Sequence, residues 1–562
     1  MKKASIYIIM VMLLLVAGCR KDSTIDGMLI VSESMRGDSK AMVDDLTLNW
    51  VAGESIRING KDMNIVVNGE NQAYLENVPT SSIYRALYPA TLNSNASLDD
   101  DSVAVTIPDT YTYTVNDGKQ VLEVPMAARS TDGSRLYFKH LTAAITVEIT
   151  NYYGFAVLVD SVVVTSSDAG TPYQISGVTS INLTNDSMGI KLNSSPTVAQ
   201  KKVKMLFSDG VHAMKIDQGA TKKVQVPVLP VGNGNKFSIS VTVHKDGDAA
   251  VTKTFTKTQG TGGAMGRAKM AYADHTVGFL FSIGNNKKVI ISQGNLQYQA
   301  STGTWRFAEH QYDYIGAAVG NTTAANRNTQ SDWIDLFGWG TSGWSNGNTS
   351  YMPYENNTTS STYQTQSFIG NAANADWGWN NSITNGGNII NKWRTLTARS
   401  GSEIDVLFTS RNTSTTDMPS GTNSNKARYV KAQVGPFLTK GIIIFPDNYN
   451  HPKDVSVSQS SGTTIYNSGG YGVYYNGFTV NETNWKKMEA EGCVFLPAAG
   501  SRINLNVTNT GTHGYYWHST NSTSQKAYAL QFIDGNQNYQ NSSVYAEYGK
   551  QYGCSVRLVM DI

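Results

Sequence analysis

Between residues 28 and 277 apolar side chains recur at every second position. Ile145, Val147 and Ile149 alternate with Thr146, Glu148 and Thr150, and Phe237, Ile239, Val241 and Val243 alternate with Ser238, Ser240 and Thr242. Successive side chains of a strand point to opposite faces of its sheet, so this period implies half-buried strands and argues against long amphipathic helices. In TYTVNDGKQVLEV, Asn116-Asp117-Gly118 offers the positive φ that a tight hairpin turn demands. Short strands separated by turn residues pack as β-sandwiches, and a stretch of this length calls for two, with a boundary near residue 160.

The texture changes after His275. Nine of the ten tryptophans follow position 300. Strands are expected over 288–292 and 296–299. One helix is expected behind Ser400 as N-cap, with Glu403 completing a capping box and Ile404, Leu407 and Phe408 on one face. A second is expected over 482–491, with Trp485 and Met488 inward and Gly492 as terminator. Each leads into an apolar strand, 441–445 and 493–496, so this half reads as α+β. The final run Cys554-Ser555-Val556-Arg557-Leu558-Val559 alternates like another half-buried strand.

At 562 residues the chain exceeds what one core serves. Its net charge is +2 and only 16% of residues are charged, without a basic stripe or acidic tail, so nothing points to nucleic acid. Lys2 and Lys3 precede an apolar run from Ile6 to Val16 and then Ala17-Gly18-Cys19. That run is too short to span a bilayer stably and reads as a signal-peptide core. Small residues before a Cys suit lipoprotein processing, because the peptidase needs a narrow backbone and the thiol carries the lipid. Residues 1–18 are therefore the expected signal peptide, Cys19 the acylated (palmitate-bearing) anchor and 19–27 a linker. The alternative is an ordinary secretory signal beside an unrelated Cys. Arg20 replaces the Asp that retains many lipoproteins at an inner membrane, which favours the outer membrane and cell surface. Cys493 and Cys554 are a possible disulfide in that oxidising compartment, or two small buried hydrophobes. Scattered His residues, no HExxH and no Gly-x-Ser-x-Gly elbow lead to the reading that the protein is not an enzyme and takes no metal or cofactor.

Four stretches, DLTLNWVAGESIRING (45–60), YRALYPATL (84–92), VPMAA (124–128) and LYFKHLTAAITVEITN (136–151), resemble the fimbrillin family, subunits of type V pili in Gram-negative anaerobes. The resemblance spans about 28–275. It implies two transthyretin-like sandwiches (28–160 and 161–275), lipoprotein export, and assembly with other fimbrial subunits by donor-strand exchange. In that exchange an Arg-directed protease removes the first strand and a strand from another subunit fills the groove. MLIVSES (28–34) is then the removable strand, and Arg36, in the polar turn Met35-Arg36-Gly37-Asp38, the candidate cleavage site. The alternative is an unremarkable loop arginine.

The stretches DLFGWGTSGW (335–344), EIDVLFTSR (403–411), GIIIFPDNYNHP (441–452), WKKMEAEGCVFLPAAGSR (485–502), YYWHSTN (515–521) and GCSVRLV (553–559) resemble a lectin-like C-terminal domain of adhesins and, more distantly, FISUMP-type domains. This implies a C-type-lectin-like domain over 276–562 whose two chain ends pair in one sheet. His518 stands where that pattern has Ser. The lectin calcium signatures are absent, as are the paired cysteines of formylglycine-generating enzymes. The Gly-Trp pairs of DLFGWGTSGW and ADWGWN (375–380) suit sugar platforms or, in the reading favoured here, structural plugs. The Tyr- and Asn-rich segment 534–552 has the vocabulary of adaptable recognition loops. The candidate ligand-binding residues are Tyr515, Trp517, His518, Asn536, Asn538, Tyr539, Asn541, Tyr545, Tyr548 and Tyr552.

The whole reads as a fimbrial tip or minor adhesin subunit binding a host or bacterial surface glycan or protein through its C-terminal domain. The alternative is a monomeric, lipid-anchored glycan-binding protein that never polymerises. Because GCSVRLV closes that domain, it is expected to accept a strand but not to donate one. Cys19→Ala is expected to leave the precursor unlipidated, since only the thiol accepts the diacylglycerol. Metabolic labelling with a fatty-acid probe checks this, and unchanged label in the variant would refute it.

Overall fold

The structure, a computed structural model, describes residues 27–562 apart from 33–35, 38–48, 67–68, 71, 94–97, 117–118, 167–172, 186–187, 209, 261, 323–328, 345–350, 356–358, 412, 414–426, 457, 460–472 and 534–542. It is a predominantly β protein of several sheets. The N-terminal sheet has seven strands in the order Lys61–Asn64, Ser55–Ile58, Tyr84–Tyr88, Met126–Ser130, Arg135–His140, Gly27–Ser32 and Gln72–Glu76. We label Gly27–Ser32 β1, Gln72–Glu76 β2 and Arg135–His140 β3. Its two edges meet: Ile65 bridges Leu75, and the Val66 N–H donates to the Tyr74 carbonyl at 3.1 Å. The first unit is thus a sheet rolled shut around Trp50, Ile56, Ile58 and Phe138, where the sequence suggested a β-sandwich.

The second unit is a two-layer sandwich. One sheet carries β4 (Ala143–Tyr152) between Thr221–Val228 and Lys269–Gly278; the other carries β5 (Val157–Ser166) between Lys202–Leu206 and Phe237–Lys245. Ile145, Val147 and Ile149 face Val162, Val164, Ile239 and Val241 across its core, as the alternation foretells. The expected boundary at residue 160 falls inside β5; sheet membership changes at Leu141–Thr142 instead. The units also interleave, because Thr110–Thr112 pairs with Lys202–Leu206 and Ser102–Ile107 with Gly177–Asn182. The hairpin forms as read, Thr114–Asn116 against Lys119–Val121.

Residues after 280 form a third unit, the head. Strand β6 (Lys287–Ile291) pairs antiparallel with Val559–Asp561, Ile291 opposite Val559, so the two ends of the head share a sheet. Helix α1 (Glu482–Ala490) is capped by Asn481, whose side chain accepts from the Asn484 N–H, and buries Trp485 and Met488. Gly492 follows at φ +83°, the left-handed conformation expected of it. The other helix begins at Glu403 behind Ser402, not Ser400, and turns into a π-helical stretch, Val406–Ser410. No capping box forms there, because the Glu403 carboxylate is taken by the Arg394 guanidinium at 2.7 and 2.8 Å. The run 553–560 is buried throughout, Ser555 and Arg557 included, where alternation suggested one wet face. Among the described residues no helix is long and apolar enough to cross a membrane.

Head and second unit are pressed together. Lys245 pairs with Glu489 at 3.2 Å and Lys486 with Asp248 at 2.9 Å, Lys253 pairs with Glu491, and the Tyr153 hydroxyl donates to the Ala490 carbonyl. Tyr153 stacks on Phe155 with centroids 4.6 Å apart and meets Phe279 edge-on. At the closest approach, a Cβ on Gly154 would lie 1.9 Å from the Ile291 carbonyl oxygen. Gly154→Ala must therefore push the two backbones apart, at about 1–3 kcal/mol or more. Chemical denaturation of the full chain measures this, and wild-type stability in the variant would refute so tight a seam.

Candidate functional site

Strand β1 is the most consequential element of the first unit. It is inserted between two strands, parallel to β3 (Ile30 opposite Leu136) and antiparallel to β2 (Ile30 opposite Ala73). Met28 and Ile30 point into the core while Leu29 and Val31 stay half-buried on the outer face. Without β1, the facing edges of β2 and β3 would present unpaired N–H and C=O groups above a slot emptied of two large apolar side chains. Arg36 and Gly37 form a two-residue strand alongside Lys269–Met270 rather than the polar turn expected there. Arg36 therefore lies four residues past β1, and its backbone is held by the second unit.

The recognition residues read from the head's sequence separate into three groups. Tyr515, Trp517 and His518, on the strand His513–Asn521, are buried and unavailable to a ligand in this structure. Trp517 donates its indole N–H to the Phe337 carbonyl at 2.7 Å, and Tyr515 meets Tyr548 edge-on at 5.0 Å. Tyr545 and Tyr548 stand half-buried on β7 (Ser543–Gly549), packed against two of the head's apolar clusters, with Tyr552 close by. Burial pushes the Tyr548 hydroxyl far above its usual pKa. Asn536, Asn538, Tyr539 and Asn541 lie outside the described residues, as does Cys19. A Tyr-rich polar stretch reads alike whether its rings face a ligand or plug a sheet edge, and only the pairing of β7 with Lys526–Ile533 separates the two.

Cys493 and Cys554 are free thiols buried in different apolar clusters, so of the two readings left open the structure has the small hydrophobes. Trp339 and Trp377, from the two Gly-Trp stretches, are fully buried plugs whose indoles donate to the His518 and Thr341 carbonyls. Trp379, two residues on, is exposed. It borders a cleft of about 490 Å³ between residues 368–379 and the paired ends of the head. Arg394 spans the floor, bidentate to Glu403 and to Asp561 at 2.6–2.8 Å. Asp376 lies behind it, accepting from the Thr395 N–H and hydroxyl at 2.8 and 2.7 Å; burial raises its pKa to about 6. Lys287 and Asp561 carried no sequence signal as site residues, because their neighbourhood exists only once the two ends pair.

His518 is only 3% exposed, its Nε2 3.1 Å from the Val544 carbonyl, and burial pulls its pKa down to about 4. It is neutral in the folded chain and regains a value of about 6.5 when unfolded. Between those values the unfolded state binds the extra proton, so His518 costs stability as pH falls from about 6.5 to about 4, roughly 3 kcal/mol in all. His518→Gln should remove that loss. Urea midpoints of both proteins at pH 7.5 and 4.5 test it, and an equal acid-induced drop in the variant would assign the loss elsewhere.

A family model described as a domain of unknown function (DUF8237) matches residues 479–559, from α1 to the buried final run. No curated protein matches the chain. Among solved structures, the chain is similar to a candidate cell adhesion protein from Bacteroides ovatus at 12% identity, covering 45% of this chain and 92% of that one with a TM-score of 0.26. It is likewise similar to candidate cell adhesion proteins from Bacteroides uniformis (14% identity, 45% and 94% covered, TM-score 0.23) and Parabacteroides distasonis (11%, 44% and 88%, TM-score 0.22).

Proposed function

We propose that the chain is a cell-surface adhesin of the fimbrillin type, exported as a lipoprotein through Cys19 and built into a fimbrium as a strand acceptor. The observation that carries this is the seat of β1. It is paired along both edges, contributes Met28 and Ile30 to the first core, and lies four residues before Arg36. A cut there frees β1 to leave, and an extended segment from another subunit regains both ladders and the two apolar contacts, each large side chain worth about 1.5–3 kcal/mol. A two-residue strand frays at little cost, so the pairing of Arg36 with Lys269 is compatible with protease access.

Residues 553–561 are no counterpart to β1. They are woven into several parts of the head and cannot be lent out without dismantling it. On this reading the chain is a tip or minor adhesive subunit, with the head outward as the ligand-bearing unit and no catalytic role. One observation favours the non-polymerising alternative: with β1 in place the first unit satisfies its own edges and needs no partner. Arg-specific proteolysis separates the two. The wild type should be cut after Arg36 and then capture a labelled peptide of sequence MLIVSES, whereas Arg36→Ala should stay intact and capture none. Equal processing of the variant refutes the assigned cut, and a cut chain that takes up no strand supports the monomeric reading.

A further inference from the structure

Eight of the head's nine tryptophans are committed to its own packing. Trp339, Trp377, Trp393 and Trp517 are buried and donate their indole N–H groups to backbone carbonyls. Three more lie against aromatic rings, and Trp333 lies under the Arg306 guanidinium at 3.7 Å. Trp379 alone has, among the described residues, no ring partner, no cation and no hydrogen bond, and it is 38% exposed. Its outward setting is enforced. Trp377 is anchored inside, Gly378 is pressed against Trp393 so that a Cβ would fall 2.5 Å from that residue's carbonyl oxygen, and helical geometry turns Trp379 about 200° from Trp377. The indole lies at the 490 Å³ cleft together with Ile369, also exposed.

The charged side chains of the lining balance one another, and Thr395, Thr397 and Ser519 are among its uncharged members. Lys287, Lys288 and Arg394 oppose Asp376, Glu403 and Asp561. Arg394 is saturated by its two carboxylates, but Asp561 is 59% exposed and keeps acceptor capacity toward the cleft, and Lys287 has no ion-pair partner among the described residues. An apolar plate beside directional donors and acceptors, with no net field for an anion, matches a pyranose ring: C–H groups on one face and hydroxyls around the rim. We propose that this cleft binds a neutral saccharide, one ring lying on Trp379 and its hydroxyls held by the Lys287 ammonium and the Asp561 carboxylate. The assignment gives a site and a ligand class to the ligand-bearing head proposed above and rests on that reading.

The full chain and its Trp379→Ala variant are tested on an array of neutral and acidic oligosaccharides, with calorimetric titration of the hits. The wild type should select neutral sugars, and the variant should bind them at least about tenfold more weakly while keeping a cooperative thermal transition and the wild-type circular dichroism spectrum. Undiminished binding by the variant, selection of acidic sugars alone, or no saccharide bound by the wild type would each overturn the site. Adhesion of beads coated with the chain tells the two proposals apart. Cell adhesion without saccharide binding refutes the cleft and leaves the adhesin reading standing. Trp379-dependent sugar binding without cell adhesion does the reverse.

Discussion

The head is held together by one segment, residues 553–561, buried up to Met560, whose backbone bonds to several separate segments of that unit. Gly553 exchanges N–H and C=O with Arg502, and Cys554 does the same with Phe337 at 2.9 and 3.0 Å. Ser555 lies between Tyr515 and Trp517, Val556 accepts from Leu296, Leu558 from Ser292, and Val559 pairs with Arg394. A buried backbone needs a partner for each polar group, and here the partners come from segments far apart in sequence. Once the segment is in place, the segments around 296, 337, 394, 502 and 516 have their positions. The head's two ends share a sheet in the same way: β6 pairs with Val559–Asp561 along one edge and with Phe281–Gly284 along the other.

The segment carries a charge inward. Arg557 is buried and its pKa is lowered to about 10 by desolvation, yet its guanidinium donates to Gln311 Oε1 at 2.8 Å and to Asn295 Oδ1 at 3.3 Å. Gln311 in turn donates to Glu489 Oε1 at 2.9 Å, and Glu489 pairs with Lys245 of the second unit. A polar chain thus runs from the centre of the head through α1 to the sandwich. A buried charge without partners costs several kcal/mol, and this chain gives the Arg557 guanidinium two acceptors while linking the two units. The position of Glu489 and Glu491 near the C-terminal end of α1, where the helix dipole disfavours anions, is offset by Lys245 and Lys253 across the seam.

What was legible in the sequence follows from which forces are local. Alternation at 145–149 and 237–243 reports a two-sided sheet directly, and those residues face the core as read. Trp485, Met488 and Gly492 mark the inward face and the end of one helix, because faces and terminators are set within a dozen residues; its Asn481 cap appears only in the structure. The alternation at 554–559 misleads, since Ser555 and Arg557 are buried against distant partners that no local pattern reveals. Glu403 misleads in the same way, its carboxylate drawn off by Arg394. The interleaving of 102–112 with the second unit was invisible because strand pairing between units depends on shape and not on period. In the head, YYWHSTN signals a surface aromatic run, but its rings fill the core; Trp377 and Trp379 share one motif and part company only at Gly378.

The same backbone chemistry gives the two ends of the protein opposite characters. β1 is held by two neighbouring strands along one continuous slot, and its inward face offers only Met28, Ile30 and Ser32. Under the proposed exchange, an extended segment with apolar residues in alternate positions would fill that slot. Residues 553–561 meet many partners over nine positions, and bury Cys554, Val556, Leu558, Val559 and Met560 together with a charge that Gln311 and Asn295 receive. No other sequence reproduces that set. A strand becomes exchangeable when its contacts are periodic and few, and permanent when they are individual and many.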